Sequence, residues 1–344
     1  MFTGSLIIFV RTDNGLTARN AVFSCFFVKE NANQKGLSII IEIMRRLQPP
    51  DRTKEFTMPT TYAHWRFGDV AMKKLPEDLR GIIERYRDLF DIGVHGPDIF
   101  FYYDCLKSNE VSKYGTWMHN TPMGDHLEMF KKNYASASNK EATLAYLLGF
   151  LAHFTLDSYC HGYIDHKAEE EGPTHGKIES QYDRHLLIKD GYDPIKTNVA
   201  SSLHPSFFNS AVIAHLFDRW NEKDIHKTTK DQVFYLNLLW DNSDLKRWIL
   251  VTGMNVLGVQ KYLDLLLTKE TEESCVSSNM RLDKYFEKAA EHYPQLAENM
   301  VAYLNDRGEL DPYFRHNFGP KEDYKEIPLL SSEEELHYEA GIQK

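Results

Sequence analysis

The chain has 344 residues, with 50 acidic against 40 basic side chains and a formal net charge of −10. That balance argues against a general nucleic-acid binder, which neutralises phosphates with patches of lysine and arginine. Length and a 42% hydrophobic share supply a large core in one or two domains. The four scattered cysteines (Cys25, Cys105, Cys160, Cys275) form no CxxC pair, which signals neither a disulfide scaffold nor a cysteine zinc site and fits a reducing compartment.

Residues 1–57 differ from the rest. They hold none of the 15 histidines, all of which lie at His64 or later. Eight basic and five acidic residues give this stretch +3, leaving −13 for residues 58–344. Its apolar runs, SLIIFV and LSIIIEIM, have no evident partner elements, and QPPDRTKEFT reads as a linker ending just before Met58. The stretch is expected to be a non-native or loosely packed extension, with Met58 the working start; a small two-element appendage is the alternative. MFTGSLIIFVRTD has no basic residue ahead of its apolar core and no small-residue cleavage pattern, so it makes a poor signal peptide and a cytoplasmic location is expected. No run approaches the ~20 apolar residues that span a bilayer.

From Met58 onward the pattern is helical almost throughout. LPEDLRGIIERYRDLFDIG carries apolar residues at three and four spacing, between Pro76 and Gly93. VHGPDIFFYYD reads as a loop, and GDHLEMFKKNYASA as a helix. EATLAYLLGFLAHF is apolar at helical spacing without proline, and three further long segments follow after residue 200. No strand run longer than five residues convinces. The expected class is all-α, a multi-helix bundle over residues 58–316, with a polar C-terminal tail over 317–344.

The chemistry concentrates within 27 residues. LAHFTLDSYCH places His153, Asp157 and His161 four apart, so on a helix they form one stripe of nitrogen, oxygen and nitrogen donors. THGKIES repeats the spacing with His175 and Glu179, behind the breaker Gly172–Pro173 and the N-cap candidate Thr174. Such mixed donors suit Zn²⁺ in hydrolytic sites. A lone histidine on an apolar face is more often a hydrogen-bonded core residue, and an arginine would neutralise Asp157 as well as a metal does. Two successive pairs and an extra histidine favour the metal.

MPTTYAHWRFG, HGPDIFFYY, WMHN, AYLLGFLAHFTLDSYCH and THGKIES, in this order over Met58 to His185, resemble the zinc-dependent phospholipase C family, whose all-helical fold is shared with single-strand-specific zinc nucleases. The resemblance implies two to three zinc ions. It puts His153, Asp157, His119 and Asp98 at the first, with Asp98 also discussed as a general base and Asp157 bridging two ions. His161, His175 and Glu179 would hold the second. His64 and Asp157 would share the third with the amino group of the mature N-terminus, here Pro59 if translation starts at Met58. The four-residue step from Asp157 to His161 is shorter than in secreted members, so the second ion is expected to sit differently.

The implied activity is phospholipase C-like hydrolysis of a phosphodiester, on a phospholipid head group or a small soluble ester, by a zinc-activated water. The alternatives are a single-strand nuclease and a metal-binding protein without turnover. Trp65, Phe100 and Tyr102 are candidate substrate-binding residues, although core packing is the commoner use of aromatics. His95 is a candidate for orienting Asp98 or a turn residue, while His126, His166 and His185 are weaker candidates. A phosphodiester or phospholipid partner, no stable nucleic-acid partner, no transmembrane segment and a monomer are expected.

Overall fold

A computed structural model describes residues 6–12, 15–21, 61–105, 108–257 and 260–339. The chain falls into two compact units, Met1–Gln48 and Pro49–Lys344. The first contains an antiparallel hairpin of Leu6–Thr12 (β1) and Gly15–Ala21 (β2), running from Leu6 opposite Ala21 to Thr12 opposite Gly15. This corrects the reading that SLIIFV lacks a partner. GLTARNA has little apolar pattern of its own, but a ladder is made by backbone N–H and C=O groups and does not require it. The linker at 48–57 and Pro59 lie outside the described residues.

The second unit is all-α. Its helices in chain order are Tyr62–Met72 (α1), Glu77–Arg85 (α2), Arg87–Gly93 (α3), Glu110–Asn120 (α4), Met123–Ala135 (α5), Lys140–Glu171 (α6) and His175–Lys189 (α7). They are followed by Phe207–Leu216 (α8), Glu222–Leu239 (α9), Asp244–Leu257 (α10), Val276–Leu304 (α11) and the short Ser332–Glu335 (α12). No helix among the described residues is long and apolar enough to cross a membrane.

α6 is the axis of the bundle. Every residue from Ala142 to Cys160 is buried, and outside the stripe of His153, Asp157 and His161 the sequence is largely apolar all round, so the helix must be enclosed on all sides. Asn139 starts it by accepting the Ala142 N–H at 3.0 Å, and Gly172 ends it in the left-handed region at φ 96°. α3, α11, α1 and α7 pack around it. The closest approach is to α3, where Gly93 faces Gly149. A Cβ on Gly149 would lie 2.3 Å from the Phe90 carbonyl oxygen and 2.9 Å from the Gly93 Cα, both backbone atoms that cannot swing away. Gly149→Ala is therefore expected to cost about 2–3 kcal/mol by overpacking, read as a lower midpoint in chemical denaturation with an unchanged slope.

Two sequence expectations differ in detail. LPEDLRGIIERYRDLFDIG is two helices, broken at Tyr86 (φ −123°, ψ 42°). α2 buries only Leu79 and Ile83, whereas α3 buries every residue from Leu89 to Gly93, and the break lets each half seat separately. VHGPDIFFYYD is not a surface loop: Gly96–Tyr102 forms a 3₁₀ helix whose residues are buried except Phe101, with Pro97 in its first turn. The expected tail boundary at 317 falls inside packed structure, because Phe318 is fully buried.

Candidate metal centre

α6 places His153, Asp157 and His161 on consecutive turns of one face, and the neighbouring elements bring their donors to it. α1 supplies His64, the 3₁₀ helix Asp98, α4 His119, and α7 both His175 and Glu179. Three groups result: His64, His153 and Asp157; Asp98, His119 and His153; and His161, His175 and Glu179. Within each, one donor atom per residue lies within 4.8 Å of the others. The sequence-derived ligand candidates other than Pro59 all enter one of these groups.

The separations suit a shared ion. Two ligands each about 2.05 Å from a tetrahedral zinc stand about 3.3 Å apart. His64 Nε2 is 3.3 Å from Asp157 Oδ1, and His153 Nε2 is 3.0 Å from Asp157 Oδ2. His119 Nε2 is 2.9 Å and His153 Nε2 3.8 Å from Asp98. His161 Nε2 is 3.5 Å from Glu179 and 3.6 Å from Asp157, while His175 Nε2 is 3.1 Å from Glu179. The four-residue step from Asp157 to His161 therefore aims His161 at Asp157 and Glu179 together.

The other ring nitrogens are held where a metal ligand needs them. Nδ1–H of His153 donates to the Val94 carbonyl (3.2 Å) and Nδ1–H of His119 to the Gly115 carbonyl (2.8 Å), which leaves each Nε2 lone pair facing the group. His175 Nδ1–H donates to Asp165 at 2.6 Å, a carboxylate–histidine pair that fixes the same tautomer. His153 Nε2 is fully buried with no hydrogen bond of acceptable geometry despite its closeness to Asp157. An orphaned buried nitrogen converging with carboxylates is what a cation site requires. The donor set fits zinc.

Electrostatics point the same way. Burial opposes charge on Asp157, but the His153, His161 and His64 imidazoles hold its carboxyl far below the usual carboxylate range. Glu179, also opposed by burial, is held down chiefly by His175. Burial disfavours a charged His153, yet Asp157 and Asp98 outweigh it and push the ring up to about 9. His161 and His175 are raised in the same way by the carboxylates beside them. His64, stacked 4.2 Å from the His153 ring, is instead driven down to about 4 by burial and by that neighbour. The pocket thus draws positive charge: with all five imidazoles neutral, as metal ligation requires, the three carboxylates leave −3 for a metal to compensate, and without one the raised histidines take up protons instead.

Backbone geometry admits this crowding. Gly96 has φ +47°, and a Cβ there would meet the His153 ring at 2.3 Å, so only glycine lets the Asp98 turn close over His153. Asp183, one turn beyond Glu179 on α7, accepts the backbone N–H groups of Thr61 and Tyr62 (3.0 Å each) and Ala63 (2.7 Å). Burial pushes its carboxyl up to about 7 against the pull of those three donors. It fixes the segment that aims His64.

Other candidates are placed elsewhere. Phe100 is fully buried between Tyr114 and Phe217, and Tyr102 is 1% exposed, so neither offers surface to a substrate; both are core residues. Trp65 is half-buried and packs 5.7 Å from Tyr62. Phe101, the alternate side chain of the same turn, reaches the centre where Phe100 and Tyr102 do not, stacked 5.2 Å from His119. His126 donates to the Met118 carbonyl, His166 to the Ile327 carbonyl, and His185 faces Asp283 at 3.0 Å. His95 is buried with its Nε2 unpartnered. None of these four enters a ligand group among the described residues. Asp165 and Asp183 escaped the sequence reading, although Asp165 continues the four-residue spacing from His161.

The family described as zinc dependent phospholipase C matches residues 63–247, more than half of the chain. The chain belongs to this family. No curated protein and no solved structure matches the sequence. All eight candidate ligands fall inside the stretch shared with the zinc-dependent phospholipases C, whereas α11 and everything C-terminal to it fall outside.

Proposed function

We propose that the protein is a zinc-dependent phosphodiester hydrolase of the phospholipase C type, binding two to three zinc ions. The observation that carries this reading is the run of three ligand groups along one face of α6 within the family-matched region, one containing the buried Asp157 and the other two reaching it through His153 and His161. Asp98, His119, His153 and Asp157 would hold one ion, His161, His175 and Glu179 a second, and His64 with Asp157 a third. Bound zinc supplies a Lewis acid for phosphoryl oxygens and lowers the pKa of water to about 7.

The protein's own groups do the rest. Asp98 Oδ1 faces His119 at 2.9 Å, and Oδ2, 3.8 Å from His153 Nε2, would be the oxygen that accepts the proton of the attacking water once Oδ1 is engaged at the ion. The Val94, Gly115 and Asp165 acceptors keep the histidine tautomers fixed throughout turnover. Phe101 walls the His119 side and limits solvent there. A phospholipid or a smaller soluble phosphodiester is the substrate class; the formal charge of −10 disfavours long nucleic acids.

The test is metal analysis of the full-length protein followed by assays on phosphatidylcholine, bis(p-nitrophenyl) phosphate and single-stranded DNA. Two to three zinc ions per chain are expected, with hydrolysis of at least one of the first two esters abolished by a chelator and restored by zinc. Chelation should also lower the melting temperature, since a ligand bound only by the folded state stabilises it. Failure to retain zinc at micromolar free metal overturns the reading, and DNA cleavage outpacing both esters favours the nuclease.

A further inference from the structure

We propose that Phe318, which lies outside the family-matched region, is a positioning residue that holds the His119 and His153 rings in register for their shared ion. The inference rests on reading Asp98, His119 and His153 as one ion's ligands.

The backbone provides the frame. α4 ends at Asn120 and α5 begins at Met123, so the turn between them carries orphan groups from both helix ends. The Phe318 N–H donates to the His119 carbonyl at 3.2 Å, and the His316 carbonyl accepts the Met123 N–H at 2.9 Å. Residues 316–318 thus cap one helix at its C-terminus and the other at its N-terminus. The main chain of His119 is pinned by a segment two hundred residues away in sequence.

The side chain continues the constraint. The Phe318 ring is wholly buried, 5.4 Å from the His119 ring and 5.8 Å from the His153 ring, with Phe150 and Phe154 behind it. His119 is the least enclosed ligand of its group, its side chain 18% exposed against 0% for His153 and 4% for Asp98. It therefore depends most on neighbours to select one rotamer. Phe101 stacks on it at 26°, Phe318 tilts against it at 55°, and Gly115 takes its Nδ1–H. With Phe318 removed, the imidazole keeps its hydrogen bond but gains room to tip, and the Nε2 lone pair no longer aims at a fixed point shared with Asp98 and His153. Loss of an outer partner of this kind typically weakens metal binding about 10–100-fold.

The experiment measures zinc affinity of the full-length chain by competition with a chromophoric chelator for wild type, Phe318→Ala, Phe318→Leu and Phe286→Leu. Phe286 is a buried control on α11 whose ring meets Phe67 and Arg66 rather than His119 or His153. Phe318→Ala is expected to bind one ion about 10–100-fold more weakly, with the remaining ions unaffected. Phe318→Leu keeps an apolar side chain and the fold, and should lie between the two. Phe286→Leu should lower the melting temperature while leaving every zinc affinity at the wild-type value. The inference is overturned if Phe318→Ala, or Phe318→Leu should the alanine variant not fold, holds all its zinc as tightly as wild type. It is equally overturned if Phe286→Leu weakens the same ion to the same extent, which would reduce Phe318 to ordinary packing. A wild-type chain that binds no zinc instead overturns the metal reading itself.

Discussion

Asp157→Asn is expected to remove more zinc than any other single substitution and to destabilise the fold in the same step. One carboxylate oxygen faces His64 and His161, at 3.3 and 3.6 Å, and the other faces His153 at 3.0 Å. Among the described residues, no other acidic side chain stands between three of the ligand histidines: Asp98 and Glu179 each face two. Asparagine keeps the shape but deletes the charge and turns one acceptor into an N–H₂ group pointing at lone pairs. The buried imidazoles and ions then lack their main counter-charge, and uncompensated buried charge typically costs about 3–5 kcal/mol. For a domain of this size that corresponds to a melting-temperature drop of roughly 5–8 °C. Metal content should fall by at least one ion and kcat/KM by more than roughly 10²-fold, beyond the usual effect of an outer partner. Elemental analysis and calorimetry on the same preparation check both halves. An Asn variant with full zinc and an unchanged melting temperature contradicts the assignment of Asp157 as a bridge.

Asp157 was legible in the sequence because helical spacing is a local rule. Positions 153, 157 and 161 on an apolar helix must share a face whatever surrounds them. The same rule exposed His175 and Glu179. His64, Asp98 and His119 carry no such periodic signature. They lie on three separate elements, and only the order of motifs along the chain linked them to the stripe. Asp183 was silent for a related reason. It acts by accepting backbone N–H groups some 120 residues earlier, and a main-chain donor leaves no mark on residue type. The aromatics misled by adjacency. In FFYY the apolar content suggested a substrate wall, but the 3₁₀ turn directs Phe100 and Tyr102 into the core and only Phe101 toward His119. Composition cannot distinguish neighbours that face opposite ways.

The C-terminal segment shows the limit most clearly, since its polar, acidic sequence hides a buried anchor. Glu335 on α12 and Arg281 on α11 are both fully buried, with Arg281 Nη2 2.7 Å from the carboxylate and Lys284 Nζ 3.0 Å from it. Arg281 also donates to the Pro328 carbonyl at 3.1 Å and lies 4.0 Å from the centre of the Tyr338 ring. Glu335→Ala leaves that guanidinium enclosed and without its counter-ion. Such a loss costs about 3–5 kcal/mol, and the chain can relieve it by letting the terminal segment leave so that water reaches Arg281. The expected outcome is therefore local opening rather than collapse of the bundle. Trypsin cleavage at Lys321 and Lys325 should accelerate roughly 10²–10⁴-fold, following the opening equilibrium, while the helical signal in circular dichroism persists. The paired replacement Arg281→Met with Glu335→Leu should restore most of the protection, because an apolar pair of similar volume needs no compensation. Unchanged proteolysis in Glu335→Ala would mean that the ion pair does not fasten the segment. Protection that stays lost in the double variant would mean that the carboxylate does more there than neutralise Arg281.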